Sequence, residues 1–361
     1  MRNAKITGWG KALPKAVLSN HDIESLIDTN DDWITTRTGI KERRISHVET
    51  SDMAAIAGTR AIAAAGLVAD DIDLIILATC SADTVIPAAA AMVQAKIGAA
   101  NAAAFDLNAA CSGFLYGLVV ADNMIKGGTN HKVLVVGSEK LHYFLDFTDR
   151  STAVLFGDGA GAVILEATDE DCGLRSSELG MDGDAADLLC IPGLGTTGKV
   201  EAPDPRYAGV RMEGSEVFRR AVTMMGDASE RVIAKAGLSL DDVDLLVPHQ
   251  ANVRIIDATA RRVKLDPEKV FVNIHAYGNT SAATIPIALT EALEAGRIKP
   301  GDNILFAAFG GGLTWGAAVF TWGDRVEPIR VSDVDFPPSS ASALELLQSN
   351  FEFFGVGEHA E

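Results

Sequence analysis

Cys111 is the side chain of this sequence whose type and position most favour covalent chemistry. It lies in Asn108-Ala-Ala-Cys-Ser-Gly113, between an apolar strand predicted at Ala103–Leu107 and a helix predicted to begin at Gly113. The free N–H groups and the positive dipole end at a helix start favour the thiolate, the nucleophilic form of cysteine. A small buried core cysteine is the alternative at such a position. The pattern indicates a nucleophile for acyl transfer.

Two other polar side chains lie at places where a site would form. His249 follows a predicted buried strand at 245–247, and the carboxyl ends of such strands commonly hold functional groups. Asn279 lies in Tyr277-Gly-Asn-Thr-Ser281, just before a predicted helix. An ordinary loop histidine and a helix-capping asparagine are the alternatives, and His275 is a weaker competitor for His249.

A glycine run, Phe309-Gly-Gly-Gly-Leu-Thr314, follows another predicted buried strand. Successive glycines allow backbone N–H groups to face a ligand oxygen, so this run could form part of an oxyanion hole. The run lacks the GxGxxG spacing of a dinucleotide fold, and the sequence has no GxxxxGK[ST] motif for phosphoryl transfer. The glycine-rich segment 157–161 is its counterpart in the first half, and we interpret it as a packing turn.

An internal repeat positions these residues. Residues 66–76 recur, with similar sequence, 171 positions later at 237–247. At the same offset Asn108 falls on Asn279. We interpret the repeat as duplication of one α/β unit, which brings Asn279 to the seam beside the nucleophile.

The elements of the two halves follow from apolar periodicity and glycine stops. Strands that alternate with helices predict mainly parallel sheets under helical layers. The predicted fold is therefore α/β, with duplicated halves in an α/β/α/β/α arrangement and a site at the seam. The predicted elements are helices 51–65, 113–125, 216–236 and 283–295 and strands 74–78, 133–136, 162–166, 245–247, 304–308 and 317–321.

Three segments result from this pattern. The N-terminal half covers 1–172, the C-terminal half covers 173–325, and an extension of unknown role covers 326–361. The region 172–213 is rich in loops and is expected to join the halves and cover part of the site. In the extension, Ser342 and Glu345 form a predicted capping box. The aromatic residues after it either dock on the protein or remain disordered; they are Phe351, Phe353 and Phe354.

Composition narrows the class of protein. The chain has 361 residues, 48% of them hydrophobic, and a net charge of −18. That charge disfavours nucleic acid and anionic membranes as partners. We find no signal peptide and no apolar run of the ~18 residues that a membrane span needs. Four scattered cysteines without metal-ligand spacing predict reduced thiols, no metal site and a cytoplasmic location.

Several separated motifs together resemble β-ketoacyl-acyl-carrier-protein synthase III, a thiolase-like family that starts type II fatty acid synthesis. The chain order Cys111, His249, Asn279 is shared with that family. The resemblance spans about residues 3–323. The other shared motifs are Asp32-Trp-Ile-Thr-Thr-Arg-Thr-Gly-Ile40, Asp149-Arg-Ser151, Phe156-Gly-Asp-Gly-Ala-Gly161 and Phe309-Gly-Gly-Gly-Leu-Thr-Trp-Gly316.

The resemblance implies condensation of an acyl-CoA with malonyl-acyl carrier protein, giving 3-oxoacyl-acyl carrier protein, CoA and CO2. It implies that Cys111 takes the acyl group, and that His249 and Asn279 hydrogen-bond the malonyl thioester oxygen. The backbone N–H groups of Cys111 and Gly311 would stabilise the tetrahedral oxyanion. CoA thioesters are then substrates, and no cofactor is expected.

Other positions match binding surfaces of the family. The implied patch of arginines would receive the acidic carrier protein, which a chain of this negative charge would otherwise repel. A solvated face balanced by neighbouring acids is the alternative for these arginines. The implied contacts are Trp33, Arg37 and Arg150 with CoA; Leu141, Phe156 and, across a homodimer interface, Ile86 with the acyl chain; and Arg219, Arg254, Arg261 and Arg262 with the carrier protein.

Three alternatives stay open at this stage. A relative from secondary metabolism would load another starter or acylate oxygen or nitrogen. A papain-like thiol hydrolase has the same order of Cys, His and Asn, and a partner subunit without catalysis would not be acylated at Cys111. Phe144 and Ile86 alter the pocket neighbourhood, so the length and branching of the primer stay undetermined.

Overall fold

The computed structural model describes residues 2–196 and 208–356. The strands are β1 (Asn3–Ala12), β2 (Ala16–Ser19), β3 (Glu42–Ile45), β4 (Leu74–Ala78), β5 (Ala103–Leu107), β6 (Lys132–Glu139), β7 (Gly159–Thr168), β8 (Gly173–Met181), β9 (Leu189–Cys190), β10 (Arg211–Met212), β11 (Leu245–Pro248), β12 (Asn303–Gly310) and β13 (Thr314–Thr321). The α-helices are α1 (Asn20–Glu24), α2 (Asp31–Thr38), α3 (Thr50–Ala64), α4 (Ala89–Ile97), α5 (Gly113–Lys126), α6 (Arg150–Ala153), α7 (Gly214–Lys235), α8 (Val253–Arg262), α9 (Ile274–Tyr277), α10 (Thr284–Glu294), α11 (Ala343–Leu346) and α12 (Gln348–Phe354).

Two mixed sheets form the frame of the fold. The first has the order β1-β7-β6-β4-β5 and the second the order β11-β12-β13-β8. The strands β4, β5 and β6 pair in parallel, as do β11 and β12, whereas β1, β7, β8 and β13 pair antiparallel. The prediction of mainly parallel sheets is therefore wrong. Only residues 311–313 separate β12 from β13, and so short a connection closes a hairpin rather than a crossover.

The same strand order appears in both halves. The neighbouring strands β1-β7-β6-β4 of the first sheet correspond, in that order, to β8-β13-β12-β11 of the second. β5 has no full counterpart, because its place beside β11 is taken by a single bridge between Leu246 and Val270. This repetition follows from the duplicated sequence and confirms the predicted fold class.

Helices lie on both faces of each sheet. Helices α5 and α10 lie between the sheets and pack with Ile76 and Val135 of the first and Val247 and Phe306 of the second. Helices α3 and α4 cover the outer face of the first sheet, and α7 and α8 cover that of the second. The alanine-rich sequence of α3 allows this close approach, since a small side chain lets helix and sheet backbones lie near each other. The result is the predicted α/β/α/β/α layering.

The sequence left the structure of two regions open, residues 172–213 and the extension 326–361. Within 172–213, residues 173–181 form β8, an edge strand of the second sheet, rather than a loop, and β9 and β10 form a small two-stranded ribbon. Residues 197–207 of that region lie outside the described residues. In the extension, Ser342 and Glu345 make the predicted capping box. Phe351 docks edge-on against Phe147 at 5.4 Å between ring centres, so the extension is anchored at that point.

None of the helices in the described ranges is long and apolar enough to cross a membrane.

The central layer is packed tightly where the halves meet. A methyl group added at Gly137 of β6 would lie 2.3 Å from the carbonyl oxygen of Ala282, which precedes α10. Real side chains do not approach a carbonyl so closely, and neither of these backbones can move without displacing a sheet or a helix. Contact between the halves therefore depends on glycine at this position.

We predict that Gly137→Ala lowers the free energy of unfolding by about 2 kcal/mol or more, because overpacking in a close-packed interior has a cost of that order. Urea denaturation of the purified protein measures the change. Gly183→Ala is the control, since a methyl group there meets nothing within 4 Å, and its effect should stay within about 0.5 kcal/mol. Equal stability of the two variants would contradict the tight seam.

Candidate active site

A cavity of about 340 Å³ opens beside the nucleophile turn. Cys111 and Gly311 lie on one wall, and the remaining walls are mostly apolar. Leu141 and Phe156, both predicted acyl-pocket residues, line this cavity. The full lining is Cys80, Asn108, Ala110, Cys111, Leu141, Phe156, Leu189, Cys190, Ile191, Val210, Ser281 and Gly311. Its size and apolar lining suit a short acyl chain.

The Cys111 turn is shaped by its neighbours. After β5 ends, the Asn108 side-chain oxygen accepts a hydrogen bond from the Ala110 N–H at 3.1 Å, and Ala110 takes a φ of 46°. Cys111 then lies in a one-turn 3₁₀ helix that leads into α5. At Gly310 any Cβ would lie 2.6 Å from the Cys111 nitrogen, so glycine is what allows β12 to pass against this turn. The glycine run thus brings Gly311 next to the sulfur.

Burial controls the protonation of Cys111. It raises the pKa of the thiol to about 11, while hydrogen bonds from the Ser281 side chain and from the N–H groups of Cys111 and Gly311 lower it. The N–H groups at this turn therefore favour the thiolate, as expected, but desolvation outweighs them and the net pKa is raised. The N–H groups of Cys111 and Gly311 lie beside the sulfur, so they could donate to the carbonyl oxygen of an acyl group carried on it.

Ser281 connects the three predicted catalytic residues. Its hydroxyl lies 4.0 Å from the Cys80 sulfur and lowers the pKa of the Cys111 thiol, and its N–H donates to the Asn279 side-chain oxygen at 2.8 Å. Its carbonyl accepts a hydrogen bond at 2.9 Å from Thr284, whose hydroxyl also contacts His249. Ser281 has a φ of 48°, and it stands 171 positions after Ala110, which has almost the same φ. The sequence reasoning missed this residue, although the repeat offset pointed to it.

His249 is buried and uncharged. Burial lowers the pKa of its imidazole to about 3, and its Nδ1 lies 2.6 Å from the Thr284 hydroxyl. The hydroxyl has a single proton. When Thr284 donates to Nδ1, the other ring nitrogen carries the hydrogen and can donate; when Thr284 donates to the Ser281 carbonyl, that nitrogen can accept. His275, the weaker candidate, is exposed on α9.

Backbone hydrogen bonds tie Asn279 to the first half. Its N–H donates to the Leu155 carbonyl at 2.9 Å, and its own carbonyl accepts from the Gly157 N–H at 3.1 Å. Gly278 before it has a φ of 65°, and a Cβ there would lie 2.8 Å from the Leu155 oxygen. The segment 156–161 is therefore more than a packing turn, because it holds Asn279 and supplies Phe156 to the cavity.

A buried carboxylate lies behind the cavity. Glu139 is fully buried, accepts a hydrogen bond from the Ser81 hydroxyl at 2.5 Å, and lies 3.3 Å from the Cys80 sulfur. Burial raises the pKa of Glu139 and also raises the pKa of the Cys80 thiol well above its ordinary value. The Glu139 charge further opposes ionisation of Cys111. Neither residue was singled out from the sequence, since a single carboxylate at a strand end has no distinctive pattern.

The residues expected to contact CoA gather at the surface. The guanidinium groups of Arg37 and Arg150 each lie 4.9 Å from the centre of the Trp33 ring. Arg150 also donates to the Asp28 carbonyl at 2.8 Å. An indole with two cations is a suitable platform for an aromatic base and its phosphates.

The predicted basic patch is partly neutralised. It lies on α7 and α8, which pack together. Arg219 pairs with Glu216 at 2.6 Å, Arg262 pairs with Asp227, and Arg254 lies 5.4 Å from the Phe218 ring centre. Arg261 is exposed on the same helix as Arg254. The four side chains thus share one face, together with acids that reduce its net charge.

Ile86 does not reach the cavity of its own chain. It is 86% exposed, next to Val85 at 91%. Two consecutive exposed apolar residues are typical of a surface that another chain covers. All four cysteines are free, and among the described residues no group of three or more His, Cys, Asp or Glu side chains could hold a metal ion.

Comparison with known proteins gives a consistent answer. Residues 105–183 match the family described as 3-oxoacyl-[acyl-carrier-protein (ACP)] synthase III, and residues 233–322 match its C-terminal family. The chain is 52% identical over 349 residues to beta-ketoacyl-[acyl-carrier-protein] synthase III 2 of Vibrio cholerae, covering 97% of this chain and 96% of that protein. It is 51% identical over 325 residues to the synthase III of a Roseiflexus species, covering 88% of this chain and 98% of that protein.

A solved structure matches the fold as well. The crystal structure of 3-oxoacyl-[acyl-carrier-protein] synthase III from Aquifex aeolicus superposes with a TM-score of 0.84 at 46% identity, covering 88% of this chain and all of that one. The Vibrio alignment leaves too few residues unmatched to omit the whole extension after residue 325, so that relative shares at least part of it.

The raised pKa of Cys111 predicts the pH dependence of its alkylation. Below a pKa of about 11 the thiolate fraction grows tenfold per pH unit, so the iodoacetamide rate should rise about 100-fold between pH 7 and 9 without levelling. Mass spectrometry of the Cys111 peptide measures the rate, and glutathione in the same buffers is the control. A plateau below pH 8 would show an activated thiolate instead.

Removal of the Ser281 hydroxyl tests its bond to Cys111. We predict that Ser281→Ala slows Cys111 alkylation at pH 9 by about tenfold, because a hydrogen bond to a charged group is worth about 1.5–3 kcal/mol. Alanine fits this backbone, since Ala110 adopts the same left-handed conformation in the other half. An unchanged alkylation rate in a protein with an unchanged circular dichroism spectrum would show that Ser281 does not act on Cys111.

Proposed function

The chain belongs to the β-ketoacyl-acyl-carrier-protein synthase III family, and on that premise we propose which residues perform the reaction. It is an acyltransferase that carries out the initiating condensation of type II fatty acid synthesis, joining an acyl-CoA to malonyl-acyl carrier protein with loss of CO2. The observation that carries our assignment is that Ser281 lies beside Cys111 in an apolar cavity and is linked directly to Asn279 and, through Thr284, to His249.

The first half-reaction transfers the acyl group to Cys111. Its sulfur attacks the thioester carbonyl, the carbon–sulfur bond to CoA breaks, and the thiol proton leaves with the CoA sulfur. The N–H groups of Cys111 and Gly311 bind the oxygen that becomes negative in the tetrahedral state. Because burial raises the pKa of the thiol, its proton must be lost as the sulfur bonds to the thioester carbon, and it ends on the departing CoA sulfur.

The second half-reaction forms the new carbon–carbon bond. Asn279 and the neutral His249 donate hydrogen bonds to the malonyl thioester oxygen while CO2 leaves, and the resulting enolate attacks the acyl-Cys111 carbonyl. For this role the Thr284 proton turns from the Ser281 carbonyl to His249 Nδ1, which leaves the imidazole hydrogen on the outer nitrogen, Nε2. A neutral donor suits an enolate in a buried site, since no charge must be desolvated beforehand.

The binding surfaces complete the proposal. Trp33, Arg37 and Arg150 hold CoA, the face with Arg219, Arg254, Arg261 and Arg262 receives the acidic carrier protein, and no cofactor takes part. A homodimer, which the exposed Ile86 and the edge strand β5 support, would bring Ile86 to the partner's acyl cavity. We place the boundary between the halves at 172/173, where β8 begins, and the protein in the cytoplasm.

The alternatives are less well supported. Relatives at about half identity over nearly their full length carry the name beta-ketoacyl-[acyl-carrier-protein] synthase III, which disfavours a role in secondary metabolism. A papain-like hydrolase has another fold, and a partner subunit without catalysis would not need the Ser281 network.

Separating the half-reactions tests these roles. Cys111→Ala should abolish acylation by labelled acetyl-CoA. His249→Ala and Asn279→Ala should acylate within about threefold of the unaltered protein, yet lose about 100-fold or more in condensation with malonyl-carrier protein, as expected for removal of an oxyanion donor. Equal loss of both half-reactions would contradict the assignment, and a folded unaltered protein that makes no 3-oxoacyl product would overturn the proposed function.

A further inference from the structure

The extension after residue 325 crosses the first half and ends behind the acyl cavity. Near its start the Ile329 N–H donates to the Ala64 carbonyl at 2.9 Å, and Arg60 donates to the Val334 carbonyl at 2.8 Å. Helices α11 and α12 follow, and Ala343 and Leu347 are buried. They share one apolar cluster with Leu141, Phe156 and Val210, all of which line the cavity. The extension therefore forms the outer side of a wall whose inner side faces the substrate.

Asn350 makes the most specific contact of this segment. It is buried, and its side-chain amide donates to the carbonyls of His142 at 2.7 Å and Tyr143 at 3.2 Å. These carbonyls belong to the one-turn 3₁₀ helix Leu141–Phe144, in which the His142 carbonyl also accepts from the Leu145 N–H at 3.1 Å. An asparagine some 200 positions away in the chain thus caps this turn.

Two aromatic contacts support the same wall. Phe351 packs edge-on against Phe147, with the ring planes at 89°. The Phe354 ring lies against Gly209, where an added Cβ would be 3.4 Å from it. Gly209 directly precedes Val210, which lines the cavity. The Val210 N–H in turn donates to the Phe144 carbonyl at 2.9 Å. Asn350, Phe351 and Phe354 therefore contact both chain segments that form this side of the cavity.

The segment held by Asn350, residues 141–145, joins two parts of the proposed site. Leu141 at its start lines the acyl cavity, and Arg150 beyond its end lies over Trp33. No residue of α12 lines the cavity itself. We propose that α12 acts through this segment as a positioning element that limits the acyl chain the cavity accepts. This inference rests on the proposed function.

The expected consequence is a change in primer selection. A rigid apolar pocket discriminates between substrates that differ by one methylene by about tenfold or more, and a wall free to move loses part of that discrimination. Loss of the Asn350 or Phe351 contacts should therefore favour longer acyl chains relative to acetyl. A merely structural role would lower activity with all primers equally.

The test compares steady-state condensation rates with malonyl-acyl carrier protein and acetyl-, butanoyl- or octanoyl-CoA as primer. In Asn350→Ala and Phe351→Ala, the octanoyl-to-acetyl ratio of kcat/KM should rise at least about threefold, with KM for the CoA thioester changing more than kcat. Asn350→Asp keeps the size but replaces the donor by an acceptor, so it should act at least as strongly as Asn350→Ala. Ser349→Ala is the matched control, because Ser349 precedes Asn350 on the same helix but is exposed, and its ratio should not change.

The outcomes separate the two claims. Unchanged ratios in folded Asn350 and Phe351 variants, with an unaltered protein that condenses normally, would overturn this inference and leave the proposed function intact. No condensation by the folded unaltered protein would overturn both. Phe351→Leu, which keeps an apolar contact, provides a milder variant should the alanine variants fail to fold; it should shift the ratio in the same direction, and an unchanged ratio would overturn the inference.

Discussion

The close approach of two left-handed turns is the constraint on which the site depends. Ala110 and Ser281, at equivalent positions of the duplicated halves, take φ values of 46° and 48° and lead into the paired central helices. Glycines at 137 and 310 let the neighbouring backbones pass without a side chain between them. Only when the turns meet does Ser281 reach Cys111, and only then does Gly311 lie beside the sulfur. A duplicated fold thus produces an asymmetric site, with the nucleophile on one turn and the donors on the other.

Burial gives this site its resting state. The thiol has its pKa raised to about 11 and the imidazole has its pKa lowered to about 3, so both groups are neutral at physiological pH. A neutral pair avoids the cost of desolvating two charges, and charge develops only when a thioester supplies an oxygen to bear it. The buried Glu139 acts in the same direction, since its charge would oppose a free thiolate.

Sequence reasoning predicted the elements that periodicity and glycine stops define. Strand β4 was predicted with its observed bounds, and helix α5 within one residue. The direction of β7 and β13 was missed because apolar runs carry no information on pairing. The pKa of Cys111 depends on how deeply the turn is buried, which local sequence does not reveal. Ser281 and Asn350 act through contacts between segments far apart in the chain, so only the folded structure identifies them.

The central claim is that Cys111, rather than another thiol of the cavity, holds the primer. Cys80 and Cys190 also line this cavity, which makes the distinction a real one. Intact-protein mass spectrometry after incubation with a series of acyl-CoAs, followed by peptide mapping, measures it directly. The account predicts one acyl group per chain, carried by the Cys111 peptide and lost in Cys111→Ala. An adduct on Cys80 or Cys190, or an adduct that persists in Cys111→Ala, would contradict it.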